Sequence, residues 1–200
     1  MTVAAPLDTT RRTPAAKLRI LTTATALFSS EGIRAVGVDR LIRESSVTKA
    51  TFYKHFGSKD RLIREYLSTA SVDALDALAT VIASESSPRA SLFALADSLH
   101  STVCADTFRG SLFVNAAAEF PDQRDPVRLI IAEHHEMVSV KITDLLQRLG
   151  HPLPGEAADE LVLAYVGALA WGHIGDPIGA ALAFRRIVER VLDDGRRSLS

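Results

Sequence analysis

An all-α fold of about nine helices is what this sequence predicts, and three observations carry that expectation. Apolar residues recur at intervals of three and four along the 200 residues, and no run alternates apolar with polar residues long enough to argue for a strand. Ser87-Pro88, Asp125-Pro126 and Asp176-Pro177 each place a capping side chain before a proline at a first helical position. At 21.6 kDa the chain can bury roughly 70% of the surface it exposes when unfolded, so it needs neither a disulfide framework nor a structural metal. Its single cysteine, Cys104, excludes an intramolecular disulfide and zinc-finger spacing, in keeping with a reducing, cytoplasmic setting.

Residues 1–13, with Arg11 and Arg12 among Thr, Pro and Ala, read as a flexible arm and not as a signal peptide. The first helix is expected over 14–31, with Leu18, Leu21, Ala24, Thr25, Leu27 and Phe28 on its apolar side and Gly32 just past its end. A short helix over 38–45 follows, with Gly37 before it and Leu41 and Ile42 turned inward. After a tight break at Ser45-Ser46-Val47, Thr48 caps a third short helix over 49–56. Gly57-Ser58 ends it and opens a fourth at Lys59, carrying Leu62, Ile63, Tyr66, Leu67 and Ala70 at core spacing. Two short helices joined by a short turn and packed on a longer one make a helix-turn-helix. Further helices are expected over 89–106, 111–119, 126–149, 156–174 and 177–193. The most apolar run, 161–174, is shorter than the roughly 20 residues of a membrane span, so it reads as a buried helix, with no membrane partner.

The net charge of −1 conceals a strong asymmetry. From Arg11 to Arg64 twelve basic side chains face four acidic ones, a local +8 that leaves −9 for the rest. A basic first third joined to an acidic remainder suggests a nucleic-acid-binding head on a body with another task. The segment from Val47 to Phe56 fits that division. Val47, Phe52 and Phe56 fall near one face and Ala50 is small enough for close approach to a neighbour, while Lys49, Thr51, Tyr53, Lys54 and His55 are left for solvent or DNA.

The stretch from Gly37 to Leu62, and above all its core Thr-Phe-Tyr-Lys-His-Phe-Gly-Ser-Lys from Thr51 to Lys59, resembles the helix-turn-helix of the tetracycline-repressor (TetR) family of transcriptional regulators. The resemblance implies phosphate contacts from Thr48, Tyr53, His55 and Lys59 and base contacts from Lys49 and Thr51. Chemistry agrees: Lys49 can donate to guanine, Thr51 can offer a methyl to thymine or a hydroxyl to a base, and Lys59 stands at a helix N-terminus that itself attracts phosphate. Lys54 completes the exposed set. Two departures stand out. Ser46 occupies the position where the family favours glycine, and must take a positive φ or shift the turn. Gly37 replaces the Ser or Thr that commonly caps the second helix, a missing contact for which Arg40 or Arg43 can compensate.

The resemblance also implies a homodimer built on the last two helices, a double-stranded operator of palindromic form, and a small-molecule effector held by the helices before them. The final helix carries Ile178, Ala181, Leu182, Ile187, Val188, Val191 and Leu192 along one stripe, and 161–174 is apolar almost all round, so both need covering. Candidate pocket residues are Leu99, Val103, Cys104, Phe108, Phe113, Asn115, Phe120, His134, Met137 and Trp171, each of which core packing also explains. Asn115 and Glu119 lie one turn apart, and with His134 or His135 they are a weak metal candidate; solvated side chains are the plainer reading, and neither metal nor cofactor is expected. Three domains are expected: the arm 1–13, a DNA-binding unit 14–58 and an effector-binding and dimerisation unit 59–200. The expected function is a repressor released by its effector. An effector-independent regulator is the alternative, and no nucleophile motif, phosphate loop or paired carboxylates support an enzyme.

Overall fold

The computed structural model describes residues 14–197; the expected arm lies outside them. Among the described residues every regular element is an α-helix: α1 (Ala15–Glu31), α2 (Val38–Glu44), α3 (Lys49–Phe56), α4 (Lys59–Ala83), α5 (Pro88–Val103), α6 (Leu112–Glu119), α7 (Pro126–Arg148), α8 (Pro154–Ile174) and α9 (Pro177–Arg197). The starts follow local chemistry. Thr48, Ser58, Ser87, Ser111 and Asp125 each accept a hydrogen bond from a backbone N–H in the first turn of the helix they precede. Asp176 does the same for α9, its Oδ1 accepting from Gly179 N at 2.9 Å.

Three ends differ from expectation. The α5 helix stops at Val103, because Cys104, Ala105 and Phe108 close successive turns that bring Phe108 back onto the body. Pro154 opens α8 two residues early, proline being well suited to a first helical turn. The last helix continues past 193, where His151 Nε2 lies 3.1 Å from Val191 O and its ring packs against Gly195.

The turn between α2 and α3 is a Schellman motif with serine where glycine is usual. Ser46 N donates to Arg43 O at 3.2 Å, Val47 N donates to Ile42 O at 3.3 Å, and Ser46 takes φ 53°. The same motif ends α7, there with Gly150 at φ 75°. Ser46 is exposed, and its side chain makes no hydrogen bond among the described residues. Ser46→Gly therefore relieves left-handed strain without losing a contact; we expect a gain of about 0.5 to 1 kcal/mol after the extra chain entropy of glycine, measured by urea unfolding.

Two cores form. The head core gathers Ile20, Ala24, Leu27 and Phe28 of α1, Leu41, Phe52, Phe56 and the α4 residues Leu62, Ile63, Tyr66 and Leu67. Within it, Leu18 and Ala50 are not the packed residues that spacing suggested: both are exposed, and Ile20 fills the α1 position instead. The body core joins α5, the second half of α7, α8 and α9. Phe113, Ala116, Val127 and Ile131, from α6 and the start of α7, belong to the head core. The expected boundary after Ser58 thus meets no break in packing, because α4 runs through both cores and α6 is docked on the head. By length and composition alone, α4 is long and apolar enough to cross a membrane, but here it packs on α1, α5 and α7 as the spine between the two cores. On α9 the expected stripe splits: Ala181, Val188, Val191 and Leu192 face the core together with Ala180 and Phe184, whereas Ile178 and Leu182 face out.

Candidate functional site

The outer face of α3 is set by what its inner face buries. Phe52 and Phe56 are sealed in the head core, their ring centroids 5.9 Å apart, which turns Lys49, Tyr53 and Lys54 to solvent and leaves Thr51 and His55 half-exposed. Thr48 caps the helix, its Oγ1 accepting from Thr51 N at 3.1 Å and lying 2.8 Å from Thr51 Oγ1. One of the two hydroxyls donates to the other, which leaves a single O–H for phosphate or base, and Thr51 offers its methyl beside it. Tyr53 rests edge-on against Phe52 at 5.4 Å, which holds the phenol upright on the surface.

The flanking cations differ in availability. Arg40 is held by the carboxylates of Glu31 and Glu44, its Nε donating to Glu44 Oε1 at 2.7 Å and its Nη2 to Glu31 Oε1 at 2.7 Å. That pairing commits its guanidinium within the protein, and Arg43, much more exposed and only 3.7 Å from Glu44, is the better placed of the two to meet a phosphate. Lys59, the first residue of α4, is half-buried with Nζ 3.4 Å from Arg34 O; desolvation lowers its pKa against the opposing pull of Glu119 and Asp60. Lys17 pairs with Glu65 and Arg19 donates to Ser45 O at 3.3 Å. Three of the head's carboxylates, Glu31, Glu44 and Glu65, are thereby occupied by cations, so the α3 face presents positive charge undiluted by them.

Glu119, at the end of α6, reaches across to the loop between α1 and α2. Its Oε1 accepts from Ile33 N at 2.8 Å and its Oε2 from Arg34 N at 2.7 Å. Gly32, at φ 89°, makes the approach possible: a Cβ there would stand 3.2 Å from Glu119 Oε1. Arg34 in turn lies over the ring of Phe120 at 5.3 Å. The weak metal grouping is accordingly not assembled. Asn115 Nδ2 donates to Arg109 O at 3.0 Å, Glu119 is spent on the head, His134 Nδ1 lies 3.0 Å from Ser71 Oγ and His135 Nδ1 lies 2.9 Å from Ile131 O. Among the described residues no group of three or more His, Cys, Asp or Glu side chains is placed to hold a metal ion.

A cavity of about 280 Å³ lies between α4, α5, α7, α8 and α9. It is lined by Leu78 and Val81 of α4, Leu95, Ser98 and Thr102 of α5, Val138 of α7 and Tyr165 of α8, among others. Of the residues expected to line a pocket, His134 alone borders this one. Leu99 and Val103 are buried in the body core, Cys104, Met137 and Trp171 are exposed, and Phe113 is stacked on His134 at 3.8 Å. Phe108 and Asn115 border a separate, shallower cleft between the end of α1 and α6, and Phe120 lies beneath Arg34.

Burial, with a smaller contribution from His135, depresses the pKa of His134 from 6.5 to about 4, so the imidazole is neutral at pH 7. The unfolded chain therefore takes up this proton before the folded one does as the pH falls. Stability from this group is complete above about pH 6.5 and declines as the pH falls toward about 4, by at most about 3 kcal/mol. Urea unfolding at pH 7 and pH 4.5 measures the loss, and His134→Leu should flatten this part of the profile.

A helix whose aromatic side is locked into a basic head, and whose polar side is free, defines a helix-turn-helix DNA-binding transcriptional regulator. Residues 20–66 match the family described as bacterial regulatory proteins, tetR family. The chain superposes on a TetR-family transcriptional regulator from Streptomyces coelicolor with TM-score 0.84 and 37% identity, over 90% of this chain and 95% of that one. The chain belongs to the TetR family. The same fold appears in a putative regulator from Streptomyces avermitilis (TM-score 0.78, 24% identity, 92% and 99% covered) and in E. coli NemR in its reduced form (TM-score 0.80, 21% identity, 88% and 95% covered). Comparison with curated proteins finds no match.

Proposed function

We propose that this regulator is a cytoplasmic homodimeric repressor, a binding protein and not a catalyst, that holds a palindromic operator through α3 and releases it when a small molecule fills the body cavity. The observation that carries the reading is the course of α4. Its second half borders the cavity with Leu78 and Val81, and its first half is buried beneath α3 with Leu62 and Ile63. An occupant that displaces one end of a stiff helix displaces the other, so cavity and reading face share a mechanical element.

On DNA, Lys49 and Thr51 read bases, while Thr48, Tyr53, His55 and Lys59 hold the backbone. Lys54 adds charge, and Arg43 supplies the contact that Arg40, tied to two carboxylates, does not. The dimer is supported by an apolar face left open on α8 and α9. Leu163 (74% exposed), Trp171 (59%) and Ile174 (76%) follow one another down one side of α8, and Ile178 and Leu182 continue the patch on α9. A two-fold pair presents two α3 helices to half-sites roughly 34 Å apart.

Selection of bound sequences from random duplex DNA, with sedimentation of the complex, tests this. An inverted repeat carrying two chains is expected; a non-repetitive site bound by one chain would contradict the reading.

A further inference from the structure

We infer that the body cavity takes an uncharged, largely apolar molecule of one or two fused rings with a single hydrogen-bonding group, and that it refuses ions. The inference rests on the reading of this cavity as the effector site.

Size comes first. An apolar cavity of roughly 150 Å³ holds benzene, so the space here, about 280 Å³, matches a molecule about twice that size, two fused rings or one ring with a short chain. Charge comes next. Among the described residues no Asp, Glu, Lys or Arg lines the cavity, and the polar ones that do are Ser98, Thr102, His134 and Tyr165. His134 is a neutral imidazole whose Nδ1 is already engaged by Ser71, and burial raises the Tyr165 pKa above 10.0, keeping the phenol protonated. Ser98 and Thr102 stand at the exposed rim, and an ion moved past them onto the apolar wall would shed part of its water and meet no countercharge, a cost such a pocket does not return.

Polarity is the third consideration. Thr102 spends its hydroxyl on Ser98 O, whereas Tyr165 Oη and Ser98 Oγ make no hydrogen bond among the described residues. Tyr165 is fixed by its edge contact with Phe184 at 5.8 Å. A half-buried phenol with unused donor capacity favours a ligand that brings one acceptor, such as a phenolic or carbonyl oxygen.

Calorimetric titration of the full chain with 2-naphthol and with naphthalene-2-sulfonate separates the classes, since the two share a ring system and differ in charge. We expect 2-naphthol to bind one per chain and the sulfonate to bind at least about 100-fold more weakly. Val138→Phe, which narrows the cavity, should weaken binding about tenfold or more, and Tyr165→Phe should weaken 2-naphthol about fivefold or more while leaving naphthalene itself unchanged. Sulfonate binding as tight as naphthol binding, no naphthol binding at about 1 mM, or undiminished binding by a folded Val138→Phe chain would overturn the inference. Naphthol that binds the wild-type cavity more tightly than the narrowed one, and leaves operator affinity unchanged, upholds the ligand class and overturns the effector reading alone.

Discussion

Replacing Lys49 and Tyr53 together by alanine should lower operator affinity by about 100-fold or more while leaving the thermal midpoint nearly unchanged. Both side chains lie on the solvent side of α3; Tyr53 touches Phe52 only by a ring edge, and neither belongs to the buried core that holds the helix in place. A lysine on a guanine edge is worth about 1 to 3 kcal/mol of discrimination, and each subunit of a dimer loses its own. Tyr53 is uncharged, so its loss should shift affinity at every ionic strength alike. Lys54→Ala should instead weaken binding to all sequences evenly and lower the salt slope by about 1 per subunit. Fluorescence anisotropy on a labelled operator, run beside a thermal melt, distinguishes lost contacts from a lost fold.

Glu119→Ala is expected to have the second largest effect, on stability first and DNA binding through it. The carboxylate accepts two backbone N–H bonds from the α1–α2 loop, and nothing else among the described residues receives those donors. Hydrogen bonds to a charged group contribute roughly 1.5 to 3 kcal/mol each. The loop's exposure reduces that, and we expect a loss of about 2 to 3 kcal/mol in urea unfolding and a midpoint lower by roughly 5 to 10 °C. Glu119→Gln keeps one acceptor and should lose about half as much. Because this contact joins α6 to the loop that precedes α2, the alanine variant should also loosen the head on the body, seen as faster amide exchange at Ile33 and Arg34.

The helices were legible because their signals are local. Thr48, Ser58, Ser87, Ser111 and Asp125 cap the turns they precede, and even the strained Ser46 follows from its place after a short helix. The exposed side of α3 was legible for the same reason: two phenylalanines four apart decide which way it turns. The cavity was not. Apolar character pointed to Leu99 and Val103, but the core claims them; Ser98 and Thr102, one residue earlier and so rotated about 100° around α5, border the space instead. Met137 and Val138 on α7 show the same one-residue displacement. Glu119 was visible as a polar group on α6, yet its partners are 85 and 86 residues away in sequence, and no spacing rule reaches that far. Arg40 likewise looked available until folding brought Glu31 to it.

Operator recognition depends above all on α3 being the surface that meets DNA, and the salt dependence of operator binding measures that most directly. With Lys54, Lys59 and Arg43 of two subunits near phosphates, log affinity should fall with log salt at a slope of about −5, and the Lys49→Ala, Tyr53→Ala chain should bind its operator about 100-fold or more weakly than the wild type. A doubly substituted chain that binds the operator with wild-type affinity, or wild-type binding indifferent to salt, would place the contact elsewhere on the molecule.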